Sequence, residues 1–218
     1  ILKKIKYFIL NKKKSFEKEL EKKLKFRNNI VNDQIENCYN HLIFAAKDYA
    51  EYFFSHAKKG KNFSIVPHGT KKIINFKKDL NKEVINFIFT GGTGFNKGWN
   101  VIEKAFEYLF KKYPNKINLR IYGDKKKTQK SKISNFDNVE LYEKYDHNDL
   151  NEILNWADVG IAPSYFDTYN LILREFINNQ IIPITSNFFS ASDIIKNNQN
   201  GIILDKNNKD ELIKSVEK

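Results

Sequence analysis

The chain has 218 residues, 41% hydrophobic and 29% charged, with 18 Phe and 11 Tyr, a balance that suits a soluble globular protein of one domain, or one domain and part of another. Its single cysteine, Cys38, excludes an internal disulfide and any multi-cysteine zinc site, and fits a reducing compartment. No apolar run approaches the roughly 18 to 20 residues of a membrane span, because Lys or Asn interrupts each one.

The net charge of +12 is unevenly spread. Residues 1–80 carry 19 Lys and Arg against 8 Asp and Glu, whereas the other 138 residues carry 19 against 18. A basic first third suits an anionic membrane surface or a nucleic acid, and solvated faces of a Lys- and Asn-rich composition give the same bias. The chain starts at Ile1 with Lys3, Lys4 and Lys6 inside its first apolar run, which is not a signal-peptide pattern; it is expected to be a piece of a longer protein.

Residues 1–40 read as helix, with Leu20, Leu24, Ile30 and Ile35 among charged residues and no Pro or Gly. The segment ILKKIKYFILNKKK is basic and amphipathic, suited to packing on another domain or to lying on an anionic surface, a role assigned to residues 1–27. HLIFAA follows as a short strand, then a helix from Asp48 to Ala57, then the strand FSIVP, which runs into the turn Pro67-His68-Gly69. Two strands do not make a covered sheet, so residues 1–78 are expected to be the closing elements and linker of an incomplete domain.

From residue 79 the pattern is regular. VINFIFT, INLRIYG, NVELYE, DVGIAP, IIPIT and GIIL are apolar or β-branched runs. Helical periodicity lies between them, at residues 98–112, from Asp149 to Trp156, after Asn170, near Ser190 to Lys196, and from Lys209. Strands alternating with helices at this spacing predict a Rossmann-like parallel sheet of about six strands with helices on both faces over residues 79–218.

Two stretches carry chemistry. In FTGGTGFNKG, Gly91, Gly92 and Gly94 let a backbone approach a ligand, the following helix start offers N–H groups to an anion, and Lys97 adds a full charge. A dinucleotide fingerprint starting at Gly92 needs glycine where Lys97 stands, and a Walker loop needs Gly-Lys-Ser/Thr where the order is Lys97-Gly98-Trp99. Both are excluded, and a βα turn also uses glycine for backbone reasons alone. The second stretch holds Asp167 in a loop and Glu175 in the helix after it. By themselves the first reads equally well as a helix cap and the second as part of a solvated face. The histidines show no metal-ligand spacing, and the lysine runs at 12–14 and 125–127 lack any pattern of specific nucleic-acid recognition.

Taken in order, GG-x4-KG after a strand, RIYGD, ADVGIAPS, D-TYNL-x3-E, IIPIT and NGIIL resemble the C-terminal, donor-binding half of a GT-B glycosyltransferase of family 4, over roughly residues 60–218. The resemblance implies transfer of a sugar from a nucleotide-diphosphate sugar to a glycan or lipid-linked acceptor, with retention and without a metal or other cofactor. It implies that Glu175 binds the ribose hydroxyls, that Asp167 holds the donor sugar, and that Lys97 binds the diphosphate and stabilises it as it leaves. Gly91, Gly92, Thr93, Thr168, Tyr169, Asn170 and Leu171 would meet the sugar and diphosphate, largely through their backbone. Tyr142 and Tyr145 lie in a loop able to stack on a base, and Tyr145 is the one assigned to the site.

Three positions depart from the family pattern: Asp167 replaces a glutamate, Gly92 an arginine, and Asn170 a glycine. The alternative to an enzyme is therefore a noncatalytic nucleotide-sugar-binding subunit or degenerate paralogue. By resemblance the acceptor side belongs to a separate N-terminal half. The 218 residues alone are expected to bind donor without transferring it, in the cytoplasm or at the inner face of its membrane.

Overall fold

In the computed structural model, residues 41–56, 62–70, 82–146 and 148–218 are described. The helix expected over residues 1–40, the membrane-facing role of residues 1–27, Cys38, and the boundary expected at 78/79 lie outside them. The chain divides into two compact units that meet between Val66 and Pro67.

In the first unit, β1 (Leu42–Phe44) and β2 (Phe63–Ile65) pair in parallel, joined through α1 (Lys47–His56). Phe44 is the buried centre, with Tyr49, Phe53, Phe54 and Phe63 around it at ring separations of 5.2 to 6.1 Å. His41 Nε2 lies 3.0 Å from the Ser64 hydroxyl and ties the two strand starts together.

The second unit is a six-stranded sheet of β3 (Ile85–Phe89), β4 (Ile117–Gly123), β5 (Val139–Glu143), β6 (Val159–Ala162), β7 (Ile182–Ser186) and β8 (Ile202–Leu204). Its spatial order is β5-β4-β3-β6-β7-β8 and each pairing is parallel. Phe87, Ile88 and Phe89 are buried in succession, as are Gly160, Ile161 and Ala162, which is how strands covered on both faces read.

The helices of this unit are α2 (Trp99–Lys112), α3 (Lys125–Thr128), α4 (Leu150–Trp156), α5 (Leu171–Asn178), α6 (Ala191–Ile194) and α7 (Lys209–Val216). Helix α2 buries Val101, Ile102, Ala105, Phe106, Leu109 and Phe110 along one stripe, and Phe87 meets Phe106 edge-on at 5.4 Å. Each such phenyl contributes about 1.5 to 3 kcal/mol on burial. Gly160 is small because the Phe176 ring of α5 presses on it; a Cβ there would lie 2.4 Å from the ring.

Among the described residues the expected strands and helices occur, with ends shifted by no more than two residues. Helix α3 and the 3-10 turn Lys132–Asn135 were not expected, because a run of lysines carries no apolar stripe. Local caps hold both: the Asp124 carboxylate accepts from Lys127 N–H at 3.1 Å, and the Ser131 hydroxyl accepts from Ile133 N–H at 3.2 Å.

Candidate functional site

Strand order reverses between β3 and β6, and ligands of open parallel sheets sit in the crevice beyond the carboxyl ends at such a point. Both sequence-predicted stretches begin there. The loop after β3 runs through Gly91 and Gly92 into the 3-10 turn Phe95–Lys97, and the loop after β6 runs from Pro163 to Asn170. Between them lies a cavity of about 370 Å³ lined by Lys97, Tyr145, Ser164, Asp167, Tyr169, Asn170, Leu171, Ile172 and Glu175, together with Phe89, Thr90, Gly91, Ile161 and Ala162.

Lys97 and Asp167, 70 residues apart, form an ion pair in this cavity, with Lys97 Nζ donating to Asp167 Oδ2 at 2.7 Å. The Asp167 side chain is 13% exposed and the lysine 36%, so the pair is shielded on the carboxylate side and open on the cation side. An ammonium has three donors, so one bond to Asp167 leaves capacity for two more. Asp167 is not a helix cap: the N-cap of α5 is Asn170, whose side chain makes no capping bond. The first N–H groups of α5 have no partner within the helix and, with the helix dipole, favour an anion at Leu171 and Ile172.

Glu175 stands one turn into α5, half-buried, and lines the same cavity. Tyr145 approaches it from the loop after β5; burial pushes its phenol pKa up, the Glu175 carboxylate adds to that, and a hydrogen bond with Thr90 opposes it. Tyr169 is buried beneath the loop, edge-on to His68 at 5.2 Å, with the Arg174 guanidinium 5.4 Å over its ring.

A second cleft of about 520 Å³ adjoins the first and shares Thr90, Gly91 and Tyr145 with it. Gly92, Thr93, Gly94, Tyr122, Gly123, Asp124, Lys127 and Lys144 complete its lining. Gly92 has φ +62°, and a Cβ on Gly123 would lie 2.5 Å from the Gly92 Cα, so the turns after β3 and β4 touch through bare backbone. Burial raises the Tyr122 phenol to about 12, and its ring stacks on Tyr142 at 4.6 Å. A hydrogen bond from the Lys127 side chain holds Asp124 below the usual carboxylate range.

The structure thus brings Lys97, Asp167, Glu175, Gly91, Tyr145, Tyr169, Asn170 and Leu171 around one cavity and places Gly92 and Thr93 in the adjoining cleft. Thr168 is half-buried in the same loop and lines neither. Thr90 lies inside the glycine-rich stretch without having been named as a site residue, and Ser164, in the loop after β6, and Ile172, at the start of α5, were not singled out in the sequence.

Fold and cavity together define a Rossmann-like half with an anion-favouring ligand site at its switch point. Residues 70–218 match the family model for glycosyl transferases group 1, so the chain belongs to that family. No curated protein matches the sequence significantly. Among solved structures, sucrose-phosphate synthase from Thermosynechococcus elongatus superposes at a TM-score of 0.75 with 16% identity, covering 88% of this chain and 52% of that one. Anabaena HepE, solved in complex with UDP and glucose, superposes at 0.71 with 10% identity over 86% of this chain and 55% of that one. WaaG, a glycosyltransferase involved in lipopolysaccharide biosynthesis, gives 0.67 with 18% identity over 80% and 52%. The fold is that of a GT-B glycosyltransferase half, and the chain spans about half the length of these structures.

Proposed function

We propose that the protein is a glycosyltransferase that takes a sugar from a nucleoside-diphosphate sugar and passes it to a glycan or lipid-linked acceptor with retention of configuration. The observation that carries this reading is the convergence of Lys97, Asp167 and Glu175 on one cavity at the switch point, beside the start of α5. A bound UDP and glucose in HepE support the same ligand class here.

In this reading the diphosphate lies between Lys97 and the N–H groups of Asn170 and Leu171, with Gly91, Gly92 and Thr93 along its path, and Thr168, which lines neither cavity, has no part in holding it. Glu175 takes the ribose hydroxyls, Asp167 takes hydroxyls of the donor sugar, and the base enters the larger cleft past Tyr145. The acceptor oxygen bonds to the anomeric carbon as the bond to the diphosphate oxygen breaks, and the acceptor proton leaves with the diphosphate. Negative charge grows on the departing oxygen, and a fixed cation with N–H donors there is worth about two to three orders of magnitude in rate. The basic first third favours a phosphate-bearing acceptor or an anionic surface. Among the described residues no helix is long and apolar enough to cross a membrane.

A second reading, a nucleotide-sugar-binding subunit without turnover, is favoured by Gly92, which brings no side chain to the diphosphate. Thermal shift with UDP-, GDP- and ADP-sugars tests the donor site in both readings. One of these ligands stabilises the wild type, and Glu175→Ala loses most of that shift. Full retention of the shift by Glu175→Ala contradicts the assignment of the ribose to this residue.

A further inference from the structure

Beyond the residues that face the cavity, two aromatic side chains join the loops that carry its ion pair. Phe95 precedes Lys97 by two residues, and Tyr165 precedes Asp167 by two. Their rings stack at 4.9 Å with an interplanar angle of 11°. Three more contacts run alongside. Tyr165 N–H donates to the Asn96 carbonyl at 2.8 Å, Asn100 Nδ2 donates to the Tyr165 hydroxyl at 3.0 Å, and Gly98 sits so close to Pro163 that a Cβ would fall 1.9 Å from the Pro163 carbonyl oxygen.

These contacts lie beyond the reach of the sheet. The ladder between β3 and β6 covers only Phe87↔Val159 and Ile88↔Gly160, so the strands are already parting where the loops begin. Something else must set the spacing of the loops, because a 2.7 Å ion pair between two long side chains does not hold two backbones apart or together by itself. The aromatic stack is not core packing: Phe95 is 71% exposed and Tyr165 42%. An exposed stacked pair tied by backbone and side-chain hydrogen bonds to both loops has the form of a local brace.

We propose that Phe95 and Tyr165 form an aromatic clip across the switch-point crevice, and that both are positioning residues that hold the loop of Lys97 against the loop of Asp167. The clip rests on the donor-site reading given above, since its effect on function passes through Lys97. With the clip intact, the ammonium is already placed when the diphosphate arrives. Without it, the two loops must be ordered at the expense of binding.

The test is calorimetric titration of UDP, GDP and ADP into the full chain, with the nucleotide that binds the wild type used as probe for the variants. Tyr165→Ala and Phe95→Ala each weaken it by about tenfold, the size of one good aromatic pair, with melting temperatures close to wild type because neither ring belongs to the core. Tyr165→Phe keeps the stack and most of the affinity. In a Lys97→Ala background, Tyr165→Ala has little further effect, the non-additivity expected of one residue acting through another. Unchanged affinity in Phe95→Ala, whose exposed side chain makes misfolding no explanation, overturns the clip, as does full additivity with Lys97→Ala. A wild type that binds none of the three nucleotides overturns the donor-site reading and the clip with it, whereas wild-type binding with unaffected variants overturns the clip alone.

Discussion

Replacing Gly98 by alanine perturbs the crevice with a single methyl group. Gly98 is the N-cap of α2, has φ +75°, and lies against the Pro163 carbonyl at the start of the other loop. Holding an alanine in the left-handed region costs about 1 to 2 kcal/mol. The methyl would fall 1.9 Å from a carbonyl oxygen and 2.8 Å from its carbon, so backbone and not a flexible side chain must move. Overpacking of this kind adds about 1 to 3 kcal/mol. The sum, about 2 to 5 kcal/mol, is a large share of the roughly 5 to 15 kcal/mol that stabilises a domain, and corresponds to a melting shift of about 4 to 20 °C in a chain of this size. Urea and thermal denaturation measure it. Gly69→Ala is the control, because among the described residues nothing beyond its chain neighbours lies within 4 Å of a Cβ at that position. The loss in Gly98→Ala is accompanied by weaker nucleotide binding, since Lys97 is the adjacent residue. A Gly98→Ala protein that melts with wild type, or no differently from Gly69→Ala, refutes the close approach of the two loops.

Other outcomes follow from the same geometry. Asp167→Glu, which gives the carboxylate length that the family resemblance leads one to expect, keeps the ion pair with Lys97 and alters turnover more than nucleotide affinity, because in the proposed donor site this side chain takes the sugar and not the base; steady-state kinetics with the identified donor measures the split. Glu217 accepts from Lys112 Nζ at 2.7 Å and from the Tyr113 hydroxyl at 3.1 Å, which joins α7 to α2 and holds its carboxyl below the usual range. A folded pKa below the unfolded one gives stability that is present above the unfolded carboxylate value of about 4.3 and is lost as pH falls through the folded value. Glu217→Gln therefore flattens the acid limb of a stability-pH profile. The amplitude is small and shrinks with salt, because the side chain is 28% exposed.

The alternation of strands and helices was legible because parallel strands buried on both faces read as unbroken apolar runs such as VINFIFT and DVGIAP. That alternation, with the order of the motifs, was enough to place Lys97, Asp167 and Glu175 at the carboxyl edge. Their mutual distances were not legible, since a contact across 70 residues depends on strand order, and strand order is set by crossovers that leave no local trace. Phe95 and Tyr165 were hidden for a different reason. In a chain this rich in rings an aromatic residue reads as core, and only the exposure of these two, in polar loops just before a charged site residue, separates them from the buried Phe87 and Phe106. Helix α3 was masked by its lysines, whose solvated side chains say nothing about the Asp124 cap that starts it.

The central claim is that the cavity beside α5 holds a nucleoside diphosphate with Lys97 on its phosphates. It is tested most directly by titrating the diphosphate and the monophosphate of the same nucleoside into wild type and Lys97→Ala. A charge-assisted bond of about 1.5 to 3 kcal/mol at the diphosphate predicts a loss of roughly 10- to 150-fold for the diphosphate in the variant, with little change for the monophosphate. Equal affinities of the two proteins for the diphosphate would contradict the account.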